Sequence, residues 1–147
     1  VPDGIRVNFD QSAFERWAND PTGPIARHLD NLAQVGAREA VRLAPESPAG
    51  SGGRPAGWLK RHIGWRSGRD ARGIYADIYA DARTPQGHDY GLDVELGTKP
   101  HLIISHGNYP LRNRRTGQVF GRIVHHPGTK PQPFLRGALE YLRGIGR

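Results

Sequence analysis

Seven histidines, His28, His62, His88, His101, His106, His125 and His126, are the first candidates for chemistry in this 147-residue chain. Histidine and carboxylate alone can hold zinc, and three convergent ligands suffice for a catalytic site. The spacing assembles none. There is no His-Glu-x-x-His run, and His125 and His126, adjacent on a strand, would point to opposite faces. A histidine-asparagine-histidine nuclease using His106, Asn108 and His125 or His126 would need a further histidine on the following helix. The stretch from Phe134 to Ile145 has none. Asp93 and Glu95 are two apart, so they diverge on a strand and do not meet on a helix. That removes a paired-carboxylate acid/base site, and Glu95 is expected to accept N–H groups of the adjoining turn or to pair with an arginine. Gly97-Thr98-Lys99 and Gly128-Thr129-Lys130 lack the glycine spacing of a phosphate loop, and Pro100 and Pro131 oppose a helix starting there. Both read as turns. Without cysteine there are no disulfides, thiolate metal sites or cysteine nucleophiles. The expectation is a protein that is not an enzyme, with no catalytic residue, no metal and no cofactor.

Charge says more. Residues 1–50 hold 5 Lys+Arg and 7 Asp+Glu, a net of −2, whereas residues 51–147 hold 16 and 7, a net of +9. Arginine supplies 18 of the 21 basic residues, and its fork suits carboxylate and phosphate. A basic balance invites a nucleic-acid reading, against which stands an ordinary solvated surface. The N-terminus, Val1-Pro-Asp-Gly, does not read as a signal peptide, no apolar run is long enough for a membrane helix, and the lack of cysteine fits a reducing cytoplasm.

The elements that must carry these residues follow from periodicity. A chain of this length fits one domain, 1–147, able to bury roughly 70% of its unfolded surface. Residues 1–11 read as an extended arm. Ser12 to Glu15 has capping-box spacing ahead of a short helix bearing Phe14, Trp17 and Ala18, broken by Asp20-Pro-Thr-Gly-Pro24. A long helix runs from Thr22 or Gly23 to Leu43. Its stripe is Ile25, Leu29, Leu32, Gly36, Ala40 and Leu43, widened by Ala33, Ala37 and Val41. Gly36 costs roughly 1 kcal/mol against alanine, which implies close approach of another backbone. The helix is expected in the core, the other use of so many small residues being contact with a second copy.

Residues 44–56 and 106–117 read as flexible loops, and 83–89 as a third. Gly57 to Trp65 opens the β region, Ser67 to Gly73 is a polar hairpin tip, and Gly73 to Ala82 is the clearest strand. Tyr90 to Leu96 suits a helical turn or two. Leu102 to Ser105 and Gln118 to His125 read as short strands around a basic β-arm or loop that bears Arg112, Arg114 and Arg115. After Pro133 an amphipathic helix carries Phe134, Leu135, Ala138, Leu139, Leu142 and Ile145 on one stripe, with Arg136, Glu140 and Arg143 opposite. Phe134, Leu135 and Leu139 should anchor it in the core, and Arg136 should bridge to Glu95 or to a neighbouring subunit. Gly-Thr-Lys-Pro occurs twice, at 97–100 and 128–131, so turns of the same chemistry bracket the region between. The sum is an α+β fold: a long N-terminal helix and a C-terminal helix packed on a small, mainly antiparallel β-sheet with long loops.

A set of short motifs occurs in order: Ala44-Pro45, Gly57-x-Leu59-x-x-x-Ile63, Tyr90-x-x-x-Val94-Glu95-x-Gly97-Thr98, His126-Pro127-Gly128, and Pro131-Gln-Pro133-Phe134-Leu135-Arg136-x-Ala138-Leu139. Over roughly residues 25–142 the chain resembles the small neck, or tail-completion (head–tail connector), proteins of long-tailed bacteriophages. It departs from their pattern at Leu96, where an aromatic is usual, at Gly91, where alanine is common, and at Gly137, where proline often follows the arginine. The resemblance implies an α+β fold and a homo-oligomeric ring, with six copies the expected number. It implies a position in the virion neck, reached from the host cytoplasm, between a head-closure or adaptor protein and the tail terminator or tail tube. DNA would pass through the lumen without specific binding, and no cofactor or membrane is involved. A DNA-conducting ring should not grip phosphate, so most of the basic excess is expected to face protein partners.

The alternative is a small basic nucleic-acid-binding protein or ribonuclease-type toxin. It would place Arg112, Arg114 and Arg115 on phosphates and Tyr75 and Tyr79 against bases, with a histidine as base.

Overall fold

The computed structural model describes residues 8–46, 55–84, 87–113 and 116–145. Most of the expected N-terminal arm (1–7), most of the 44–56 loop (47–54), and Arg114 and Arg115 lie outside these residues. The fold is α+β, with antiparallel β-structure between helices. In chain order the elements are α1 (Gln11–Ala18), α2 (Pro24–Leu43), α3 (Trp58–Arg61), β1 (Ile63–Asp70), β2 (Gly73–Ala80) and α4 (Tyr90–Leu96). Then follow β3 (His101–Ile104), β4 (Leu111–Arg112), β5 (Val119–Gly121), β6 (Ile123–His126) and α5 (Phe134–Ile145). The β-structure is divided into three two-stranded ladders, β1–β2, β3–β6 and β4–β5.

Local chemistry sets the helix ends. Asp10, not Ser12, caps α1: its carboxylate accepts the Ala13 N–H at 3.0 Å, and the Ser12 hydroxyl donates to it at 2.8 Å. Asp is at least as good an N-cap as Ser, and it stands one position outside the helix, where the capping geometry works. Pro24 follows Gly23 at the start of α2, where a missing N–H costs nothing. The segment expected to begin the β region starts instead with the helical turn α3, entered through Gly57 at φ 66°.

The β1–β2 ladder pairs Ile63 with Ala80 through to Asp70 with Gly73, leaving a two-residue turn that is shorter than the polar tip expected from sequence. Alternation sorts its side chains. One face meets α2, where the Ser67 hydroxyl donates to Asp30 at 2.7 Å and Ile78 reaches Gly36. On the other face Arg66 pairs with Asp77 at 3.1 Å, and two cross-strand tyrosines lie over glycines. A Cβ at Gly64 would stand 2.8 Å from the Tyr79 hydroxyl, and one at Gly68 2.9 Å from that of Tyr75. These tyrosines cover bare backbone on the partner strand.

The core lies between α2, α3, α5 and the β1–β2 hairpin. Ala40, Ala44, Leu59, Ala82, Phe134 and Ala138 are buried together, with Trp58, Ile63, Ile78, Ala80, Tyr90, Val94 and Leu135 packed around them. The buried face of α2 is its small-residue side, Ala26, Ala33, Gly36, Ala37 and Ala40, whereas Leu43 is exposed. Close approach explains the shift: a Cβ at Gly36 would overlap Ile78 Cδ1 and stand 2.8 Å from Leu142 Cδ1. The partners are side chains, not the backbone expected. Gly137 on α5 is similarly tight, a Cβ there meeting Leu43 Cδ1 at 2.8 Å. The buried line of α5 is therefore Phe134, Ala138 and half-buried Leu142, while Leu139 and Ile145 are 50% and 53% exposed. Leu139 is not the core anchor expected.

Candidate functional site

The ordered motifs converge where α4 meets the start of α5. Asp89 caps α4 by accepting the Leu92 N–H at 3.0 Å, and Val94 and Tyr90 turn toward the core. Glu95, in the last turn, reaches across to the other helix. Its Oε2 accepts the N–H groups of Phe134 and Leu135 at 2.8 and 2.9 Å, and its Oε1 accepts that of Arg136 at 3.0 Å. Those are donors that a helix start leaves unpaired, and a carboxylate also complements the positive end of the helix dipole. Pro133, just before, has no N–H to satisfy. Glu95 thus serves neither its own turn nor a guanidinium. Arg136 contributes its backbone N–H while its side chain is exposed, and among the described residues it forms no ion pair with Glu95.

The two Gly-Thr-Lys-Pro turns face each other. Thr98 and Thr129 exchange N–H to carbonyl hydrogen bonds, both 3.1 Å, and their hydroxyls stand 3.1 Å apart. Each preceding glycine has a positive φ, 72° at Gly97 and 84° at Gly128. A Cβ at Gly97 would stand 2.5 Å from the Thr129 carbonyl, and one at Gly128 would overlap the Thr98 carbonyl. The two turns are related by an approximate twofold, and only glycine lets them close. The Gln132 N–H to Val94 carbonyl bond, 2.8 Å, extends the clasp toward α5. Beyond it His101 stacks on His126, ring centroids 4.9 Å apart. His101 Nδ1 donates to the Lys99 carbonyl at 2.9 Å, and His126 Nδ1 accepts from the Gly128 N–H at 3.0 Å.

From this clasp the chain extends as an arm. The β3–β6 ladder pairs Leu102 with His125, Ile103 with Val124 and Ile104 with Ile123, and continues through the Ser105 N–H to Arg122 carbonyl bond, 2.9 Å, toward β4–β5. Gly121, at φ 103°, breaks what sequence suggested was one strand into β5 and β6. Leu102, Ile104 and Ile123 share one face of the ladder and are each half-exposed or more, as are Val119 and Phe120 beyond it or nearly so. From Gly97 to Pro133 the chain carries six Lys+Arg and no Asp or Glu. Arg112 is exposed on β4.

Reactive groups do not gather. Among the described residues no three of His, Asp, Glu and Cys are grouped to hold a metal. Asp93 pairs with His88 Nε2 at 2.6 Å while Glu95 caps α5, so the two carboxylates serve different partners. Tyr75 and Tyr79 are occupied over Gly68 and Gly64, and Arg66 sits 5.9 Å from the centre of the Tyr79 ring. Among the described residues no helix is long and apolar enough to cross a membrane.

Sequence reasoning overlooked the pairing of Thr98 with Thr129, although the repeated tetrapeptide was a signal for it. The short helix α1 was expected, but not that its aromatics stay outside the core: Phe14 and Trp17, with Phe9 just before the helix, are 48%, 51% and 71% exposed, and Phe14 lies 5.5 Å from Phe9 and 5.8 Å from Trp17 between ring centroids. None of its residues is buried. No protein-family model, curated protein or solved structure matches the chain.

Proposed function

We propose that this protein is a structural subunit of the neck of a long-tailed bacteriophage, forming a homo-oligomeric ring between the head-closure or adaptor proteins and the tail terminator or tail tube. The observation that carries the reading is the arm: an acid-free, basic projection with Leu102, Ile104 and Ile123 bare on one face, hung from a small core by the Thr98–Thr129 clasp. Exposed apolar surface of that kind is normal for an assembly subunit and costly for a chain that works alone. The ordered motifs add support, because Leu59, Ile63, Tyr90, Val94, Phe134, Leu135 and Ala138 all pack in one cluster and Glu95, Gly97 and Thr98 build the junction beside it. In this role DNA passes through the ring without specific contacts, and the protein's residues do no chemistry.

The test is the DNA flanking the gene. Portal, capsid and adaptor genes on one side with a tail-tube gene on the other are the expected result. An antidote-like partner gene, or a metabolic operon, would overturn the reading. RNA cleavage by the purified protein, lost in His126→Ala, would favour the ribonuclease alternative.

A further inference from the structure

We infer that α1 of one copy, with Phe9 just before it, docks through Phe9, Phe14 and Trp17 on the Leu102–Ile104–Ile123 face of the arm of a neighbouring copy; the inference rests on the ring reading. Both surfaces are apolar and bare, and their charges are opposite. Residues 8–20 carry Asp10, Glu15 and Asp20 against Arg16 alone, whereas residues 97–133 carry six Lys+Arg and no acid. Aromatic anchors flanked by acids against aliphatics flanked by lysine and arginine form a complementary pair, in apolar contact and in sign.

The geometry sends the contact to another copy. Asn19 at the end of α1 lies beside Gly73, where a Cβ would stand 3.0 Å from its Oδ1. Ala80, at the other end of β2, adjoins Gly91 in the first turn of α4, the helix whose far end leads into the clasp and the arm. Seven strand steps separate those ends, roughly 23 Å at about 3.3 Å per residue. The end of α1 and the start of α4, after which the arm leaves, therefore lie at opposite ends of the hairpin. A contact between two unlike patches of a subunit is head-to-tail, and such contacts close into rings when the rotation allows.

The chain has no cysteine, so introduced thiols report without background. Full-length Phe14→Cys and Ile104→Cys proteins are mixed at high concentration and oxidised. The expected product is a disulfide-linked pair containing one of each, its yield falling at 1 M salt, where the Debye length shrinks to about 3 Å. In parallel, Trp17→Asp should weaken self-association, measured by sedimentation, by about tenfold or more, as loss of a central aromatic anchor does. Homodimers of single variants only, or a crosslink confined to one chain in the double variant, would overturn the inference. So would rings of normal size from Trp17→Asp, an outcome that leaves the connector reading intact. If flanking genes exclude a phage neck while the mixed disulfide forms, the connector reading falls and the α1–arm contact stands.

Discussion

Thr98 and Thr129 exchange two backbone hydrogen bonds of 3.1 Å, which joins two copies of the same tetrapeptide across an approximate twofold at the root of the arm. Each member of the pair needs its glycine. Gly97 combines φ 72° with ψ 174°, a region open essentially to glycine alone, and a Cβ at Gly128 would overlap the opposite carbonyl. Gly97→Ala and Gly128→Ala should each destabilise the protein by at least ~2 kcal/mol. Urea titration checks this. Because both substitutions break one clasp, the double variant should cost less than the sum of the two.

Glu95 tests the helix cap. Glu95→Ala strands three N–H groups at the start of α5 and should cost about 2 kcal/mol, with Glu95→Gln recovering part of it. Arg136→Ala should stay within about 0.5 kcal/mol of wild type, because only its backbone takes part. Equal losses in Glu95→Ala and Arg136→Ala would point to the ion pair instead. Thermal melts of the three variants decide between them.

Phe134 and Leu139, five residues apart on α5, should separate cleanly. Phe134 is fully buried, so Phe134→Ala should cost roughly 3–5 kcal/mol, whereas Leu139→Ala, at half exposure, should cost only about 1 kcal/mol. Comparable denaturant midpoints for the two variants would contradict the packing of α5 described above.

The Asp10 cap makes the start of α1 sensitive to acid. The Ala13 N–H, and then the Ser12 hydroxyl, hold the Asp10 carboxyl below its ordinary value of 3.8. Between the lowered and the ordinary value the unfolded helix binds more protons than the folded one. The cap's contribution is therefore complete above pH 3.8 and is lost as the pH falls through the lowered value. Amide exchange at Ala13 and Phe14 should accelerate there relative to α2, after correction for intrinsic rates, and in Asp10→Asn that pH step should disappear.

Much of the scaffold was legible before any coordinates. The 3.6-residue spacing of α2 and α5, the alternation of β2, Pro133 just before a helix and the breaking run at Asp20–Pro24 are local signals, and local sterics and hydrogen bonding decide them. Where sequence misjudged, the deciding partner was distant. Nothing within α2 says that Ile78 and Leu142 press on Gly36 and draw the small-residue side inward. Nothing near Leu139 says that α2 meets α5 along Phe134 and Ala138 instead.

The junction shows the same division. Sequence by itself determined that Glu95 sits at a helix end before a glycine turn, that an identical turn recurs thirty-one residues later, and that the stretch between is basic and free of acid. Only the tertiary structure decided that the turns pair, that Glu95 caps α5 and not its own neighbourhood, and that Leu102, Ile104 and Ile123 of the arm and the aromatics at α1 stay about half-exposed or more. Hydrogen bonds between residues some forty positions apart depend on how the intervening elements stack, and no local periodicity encodes that.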